Sequence, residues 1–193
     1  MPQQIEIRIN QASDEEIVDL YLKTQKDKYF SEIYKRYSGK IFGKCLSFFK
    51  EEAEASDAVH DVFMKILVNL SKFGEKSKFS TWVYSITYNY CIDAIRKSKK
   101  MTIQSIDNVG EEIDFEDENE DNWLQEVDMA QIEKVMDVLH PHDKAVLLMK
   151  YMDDMSIKEI CGVMEKTESA IKMKIKRAKQ RFRESFVKIN HIE

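Results

Sequence analysis

Three groups of side chains in this 193-residue chain have types and spacings that could do chemistry. The first is Asp57, His60 and Asp61. If residues 56–70 are helical, the two carboxylates stand four apart and project from one side beside Met64 and Lys65. Two carboxylates and an imidazole could hold a divalent cation for phosphodiester cleavage, yet no further carboxylate or histidine lies at ligand spacing. The alternatives are acids drawn to a helix start by the macrodipole and an acidic ridge facing a protein partner. The ridge is the favoured reading.

The second group interleaves cations with rings. Lys72, Lys76 and Lys78 surround a glycine-containing loop, and a helix expected to open near Ser80, its N-cap, carries Trp82, Tyr84, Tyr88 and Tyr90. Asn89, Asp93, Arg96 and Lys97 give that helix a polar stripe. Cations hold phosphates and rings stack on unpaired bases, which suits single-stranded nucleic acid. The same rings could simply be core: Trp82 is read that way, while Tyr84 and Tyr88 stay open between the two roles. The third group is the run from 171 to 183, with seven Lys/Arg and no acid. On a helix, Lys172, Lys176, Lys179 and Arg183 share an outer face with Ser169, Met173 and Arg177 beside them. Such a helix can enter a major groove while its lysines neutralise phosphates.

The elements that position these groups must be helices. Only 5 Gly and 2 Pro occur, too few for Gly-rich phosphate loops or turn-dense all-β folds. Cys45, Cys91 and Cys161 form no CxxC pair and no Cys/His cluster, and read as small buried residues of a reduced cytosol. The N-terminal stretch lacks the basic and apolar regions of a secretion signal. No apolar run reaches the ~20 residues of a membrane span. The expectation is a soluble, cytoplasmic, all-α protein.

The net charge of −5 conceals an asymmetry. Residues 1–101 carry +3, residues 102–139 carry −12, and residues 140–193 carry +4. Two basic segments therefore flank an acidic one, so the global charge does not argue against nucleic acid. The stretch GEEIDFEDENEDNW has little to bury and repels itself, which predicts an extended linker. It could be a plain connector, or it could compete with DNA for the basic segments. Two small helical domains follow: a bundle at 13–100 and a helix-turn-helix domain at 126–187, joined by the linker at 101–125.

In the first domain, Ser13 and Glu16 have capping-box spacing. A helix from Asp27 follows, with Gly39 near its end or kink, and then an apolar run through Phe49. Within 56–70, Val59, Val62, Phe63, Ile66, Leu67 and Leu70 make one buried stripe. In the second domain, Pro141 suits a first helical position, with Val146, Leu147, Tyr151 and Met152 as its apolar face. Ser156 and Glu159 form another capping box, and Thr167 or Ser169 caps the basic helix, whose inner face is Ile171, Ile175, Ala178 and Phe182. Helix, short helix, tight turn and basic helix is the layout of a helix-turn-helix.

The order of four motifs carries a resemblance: DAVHDVFMKILVNL, KFSTWVYSITYNYCIDAIRK, LLMKYMDDMSIKEI and SAIKMKIKRAKQRF. In this arrangement the chain resembles the extracytoplasmic-function (ECF) sigma factors, the small two-domain members of the bacterial sigma-70-type family. The resemblance implies a non-catalytic initiation factor that needs no cofactor or metal of its own. Its partners would be core RNA polymerase (the β′ clamp helices and the β flap), promoter DNA and, as in many family members, an anti-sigma factor. It implies that Asp57, His60, Asp61, Met64 and Lys65 meet the clamp helices. Lys72, Lys76, Lys78, Phe79, Ser80, Thr81, Tyr84, Tyr88, Asn89, Asp93, Arg96 and Lys97 would serve melting and capture of the minus-ten element, with Trp82 at a packing position. Thr167, Glu168, Ser169, Lys172, Met173, Lys176, Arg177 and Lys179 would read the minus-thirty-five element. His60 stands where the family often has Gln. Glu165 and Lys166 stand where the turn usually has Gly and a small apolar residue, and a non-Gly residue at positive φ there costs about 1 kcal/mol. From the residues alone, a stand-alone helix-turn-helix regulator and a metal-dependent nuclease using Asp57, His60 and Asp61 remain the alternatives.

Overall fold

The computed structural model describes residues 9–74, 77–98 and 128–190. Among them the regular elements are helical: α1 (Asp14–Thr24), α2 (Asp27–Phe49), α3 (Glu52–Asn69), α4 (Phe79–Ser98), α5 (Met129–Val138), α6 (Pro141–Leu147), α7 (Ile157–Met164) and α8 (Glu168–Asn190). Lys76 and the acidic stretch at 101–125 lie outside the described residues. None of the described helices is long and apolar enough to cross a membrane.

Local chemistry explains most boundaries. The Ser13 hydroxyl accepts from the Glu16 N–H while the Glu16 carboxylate accepts from the Ser13 N–H, closing the expected capping box on α1. Gln25 ends that helix in the left-handed region at φ 53°. Gly39 neither ends nor kinks the next helix: α2 runs unbroken to Phe49 because Ile33, Tyr37, Ile41, Cys45 and Phe48 make one continuous buried stripe. Each such fully buried side chain contributes about 1.5–3 kcal/mol, enough to outweigh the roughly 1 kcal/mol that a helical glycine costs.

The amino-terminal turn is fastened by Arg36. Its guanidinium donates to the carbonyls of Ile9 and Ala12 and to the Asp14 and Glu32 carboxylates, and Tyr37 donates to the other oxygen of Asp14. Asp14 and Glu32 hold the Arg36 pKa above its ordinary value against the opposing effect of burial, which is the largest single influence.

In the second half, His140 caps α6 through Nδ1, which accepts from the His142 N–H at 3.3 Å, and Pro141 occupies the first turn. The apolar face expected of this helix is only half right. Val146 and Leu147 are buried, but residues 148–152 widen into a π-helical turn. The extra residue rotates the chain, so Met149 enters the core while Tyr151 and Met152 point to solvent. The Ser156–Glu159 capping box forms as expected on α7. Thr167 caps α8, accepting from the Ala170 N–H at 3.4 Å.

Helix α4 is the centre of the molecule. It packs on α2 and α3 along one side and on α6 and α7 along another, while α8 closes over α5, α6 and α7. Cys45 of α2 and Cys91 of α4 meet inside with their sulfurs 3.8 Å apart, whereas Cys161 is half-buried.

Candidate protein-docking and nucleic-acid surfaces

Helix α3 presents a sharply divided surface. Ala55, Ala58, Val59, Val62, Phe63 and Ile66 are buried, and Asp57, His60, Asp61, Met64 and Lys65 are exposed. The structure extends this outer face to a residue absent from the sequence expectation. Val68 is 69% exposed, one turn beyond Met64 at 60%. An apolar residue lying off the buried stripe was the available signal, and it was overlooked because the stripe itself looked complete. The outer face therefore runs from acidic to apolar.

The geometry gives these residues partners other than a metal. The Asp61 carboxylate accepts from the Tyr90 hydroxyl at 2.7 Å. His60 Nδ1 lies 2.9 Å from the Ser56 carbonyl, one turn back on its own helix. Among the described residues no three of His, Cys, Asp and Glu converge as a ligand set.

The loop before α4 and its first turn depart from expectation in one respect. The helix begins at Phe79, so Ser80 lies inside it and is not its cap. The cap comes from outside: Glu15 of α1 accepts from the Phe79 N–H at 2.8 Å. Phe79 itself, expected at the nucleic-acid surface, is fully buried among Tyr37, Phe73 and Trp82. Its ring anchors the loop instead of lining it. Trp82 is half-buried against Phe73 and Phe79, in keeping with a packing role.

The remaining residues of the preceding loop and of α4 divide between two surfaces. Lys72, Lys78, Asn89, Asp93 and Lys97 are exposed, and Ser80 and Arg96 are half-exposed, with Arg96 3.7 Å from Asp93. Thr81 and Tyr88 are buried and Tyr84 is half-buried, under the 153–164 segment. Tyr88 donates its hydroxyl to Asp153. Burial first, and this carboxylate second, push the Tyr88 pKa far above the ordinary phenol value. Lys44 lies 2.7 Å from the same carboxylate and over the Tyr84 ring at 4.6 Å. Sequence reasoning found neither Lys44 nor Asp153, because a contact between residues more than a hundred positions apart leaves no local pattern.

Helix α8 meets its expected division. Ile171, Ile175, Ala178 and Phe182 face inward. Thr167, Glu168, Ser169, Lys172 and Met173 are exposed, and Lys176, Arg177 and Lys179 are half-exposed. The turn before it answers the question raised by Glu165: that residue takes φ 53°, ψ 43°, the left-handed conformation, without glycine's freedom. Behind α8, Arg181 binds the buried Asp143 at 2.7 Å and fixes the helix to α6.

Comparison with known proteins places the two halves in one lineage. Sigma-70 region 2 matches residues 33–101, and Sigma-70 region 4 matches residues 129–182. The chain is 29% identical over 162 residues to the ECF RNA polymerase sigma factor SigW of Bacillus subtilis, covering 80% of this chain and 87% of SigW. It is 26% identical to the ECF RNA polymerase sigma factor SigM of the same organism, covering 79% and 91%. Its fold is similar to CnrH, solved in complex with the cytosolic domain of CnrY (TM-score 0.63, 16% identity, 94% of this chain and 100% of that one). It is also similar to RpoE, solved with the anti-sigma factor NepR from Bartonella quintana (TM-score 0.57, 18% identity, 82% and 96%). Two sigma-70 regions in this order, matched over most of the length of ECF relatives, establish that the chain belongs to the ECF group of the sigma-70 family.

Proposed function

We propose that this chain is a transcription initiation factor that binds core RNA polymerase, directs it to promoter DNA and assists melting. The observation that carries this reading is the succession of region 2 and region 4 in one chain. In this reading residues 13–100 bind polymerase and the minus-ten element, residues 126–187 bind the minus-thirty-five element, and 101–125 connect them. The outer face of α3, from Asp57 to Val68, docks on the β′ clamp helices, and the region-4 segment contacts the β flap. Lys72, Lys78, Asn89, Asp93, Arg96 and Lys97 line the path of melted DNA, with the half-buried Tyr84 as a ring for an unpaired base. Lys172, Met173, Lys176, Arg177 and Lys179 enter the duplex groove.

Two DNA contacts on one polymerase scaffold supply avidity that neither small unit has alone. A base stacked against protein offsets a few kcal/mol of unstacking. The polymerase performs the nucleotidyl transfer, so the chain needs no catalytic residue, cofactor or metal, and it works in the cytoplasm. An anti-sigma factor is a further partner by analogy with the RpoE relative, which was solved bound to one.

The test is co-elution of the full chain with bacterial core polymerase on size exclusion, with Asp61→Lys in parallel. Stoichiometric co-elution that the substitution abolishes is the expected result. A folded wild type that binds duplex DNA but ignores polymerase would replace this reading with a stand-alone regulator.

A further inference from the structure

Two thiols, Cys45 and Cys91, take no part in any of the docking or DNA-facing surfaces. They stand on different helices, α2 and α4, 46 positions apart in sequence, and both are fully buried. Their sulfurs are 3.8 Å apart, with Cys91 donating its S–H to the Cys45 sulfur. Among the described residues no three of His, Cys, Asp and Glu converge around them, so the pair does not begin a metal site.

Two cysteines in contact differ chemically from one. A single buried thiol is inert, whereas here each sulfur has a resolving partner already against it. The hydrogen bond gives the two unequal roles. It favours the thiolate of Cys45, lowering that pKa against the opposing effect of burial. The same bond first, and burial second, raise the pKa of Cys91. Cys45 is therefore the attacking sulfur and Cys91 the resolving one.

We propose that Cys45 and Cys91 form an oxidation site, a dithiol that hydrogen peroxide converts into a disulfide clasping α2 to α4. The Cys45 thiolate attacks the peroxide: an S–O bond forms, the O–O bond breaks, and the departing hydroxide takes up the Cys45 proton as water. The Cys91 thiol then attacks the sulfenic sulfur. The S–S bond forms, the S–O bond breaks, and hydroxide leaves with the Cys91 proton as a second water. The two thiols together lose two electrons and one peroxide is reduced to two waters.

Closure brings the sulfurs from 3.8 Å to about 2.05 Å, or about 0.9 Å of movement for each. Rotation of the two side chains and a slight approach of the helices supply it. Burial sets the selectivity. Peroxide, nearly as small as water, enters through brief local openings of the fold, and larger oxidants are held out. Contact between the sulfurs lets Cys91 capture the sulfenic acid before a second peroxide arrives, which keeps the change reversible. The clasp does not depend on what the chain binds.

The test uses the full folded chain with Cys161→Ser, which removes the half-buried thiol on α7. The reduced protein is exposed to hydrogen peroxide, quenched, unfolded and treated with N-ethylmaleimide. The expected product is a single chain about 2 Da lighter, carrying no adduct and yielding a peptide that joins Cys45 to Cys91. Dithiothreitol should restore both alkylatable thiols. Two adducts after peroxide, or a gain of oxygen in place of the loss of two hydrogens, would overturn the proposal. With Cys45→Ser added, Cys91 should stay reduced through the same exposure; its oxidation there would overturn the assignment of Cys45 as the attacking sulfur. The bond also restricts the unfolded chain, so the oxidised form should unfold at a higher urea concentration than the reduced one. A lower midpoint would mean that the bond forms only by breaking the α2–α4 packing, and the clasp would fall.

Discussion

The hydroxyl of Tyr90 on α4 donates to the carboxylate of Asp61 on α3 across 2.7 Å. One carboxylate thus serves both the outer face of α3 and the packing of α4 against it. Burial, and then this bond, raise the Tyr90 pKa above the ordinary phenol value. Any substitution at Asp61 therefore reports on both, and the two effects have to be separated.

Asp61→Lys and Tyr90→Phe separate them. Both lose the bond, and an exposed bond of this kind is worth no more than about 1 kcal/mol. Only Asp61→Lys reverses charge on the outer face. Polymerase affinity should fall by about tenfold or more in Asp61→Lys and hold within about threefold in Tyr90→Phe. Equal losses in a titration of both variants would assign the effect to helix positioning.

Lys172→Ala should weaken duplex DNA binding and reduce the magnitude of its logarithmic salt slope by about 0.9, the signature of one lost phosphate contact. Lys172 is exposed on α8, so its removal leaves the core alone. A slope identical to wild type across a salt titration would take this lysine out of the interface.

Glu165→Gly should stabilise the chain by about 1 kcal/mol, because glycine adopts φ 53° without the Cβ conflict. Chemical denaturation reads this directly. A loss of stability would mean that the Glu165 side chain contributes more than its backbone costs.

Glu15→Ala should destabilise by about 1 kcal/mol through the uncapped Phe79 N–H, and Glu15→Gln, which keeps an acceptor oxygen, by less. If the two variants unfold at the same denaturant concentration, the cap is not the source of the loss.

His142 supplies a pH dependence. Burial chiefly, with Lys174, His140 and Arg96 adding like charge, lowers its pKa to about 4 from 6.5. The unfolded chain therefore binds a proton that the folded chain refuses between pH 6.5 and about 4. Stability should fall as pH drops through that window, with a slope of at most about 1.4 kcal/mol per pH unit from this group. His142→Gln should flatten that part of the stability curve, and an unaltered curve would exclude His142 as its origin.

What could be read from the residues was whatever is local. The capping boxes at Ser13 and Ser156, the α3 stripe and the two-faced α8 follow from spacing within one or two turns, and each formed as expected except that Leu67 of the stripe is only half-buried. The failures arise where a distant partner decides. Ser80 looked like a cap, but Glu15, sixty-four residues before Phe79, supplies it. The resemblance put Phe79 at the nucleic-acid surface and the residues left Tyr88 open between surface and core, but a cluster of aromatics claims the first and Asp153 the second. Gly39 looked like a break, but a stripe of five buried side chains carried the helix through it.

The π-helical turn at 148–152 has a consequence for how this molecule could change over generations. Its surplus residue sets the angular position of everything that follows, Asp153 first of all. Removing one residue, such as Lys150, would restore ordinary α-helical winding and swing that carboxylate about 100° around the axis, away from Lys44 and Tyr88. A single-codon deletion is thus a short genetic path to losing the Lys44–Asp153–Tyr88 contact while leaving all three residues in the sequence.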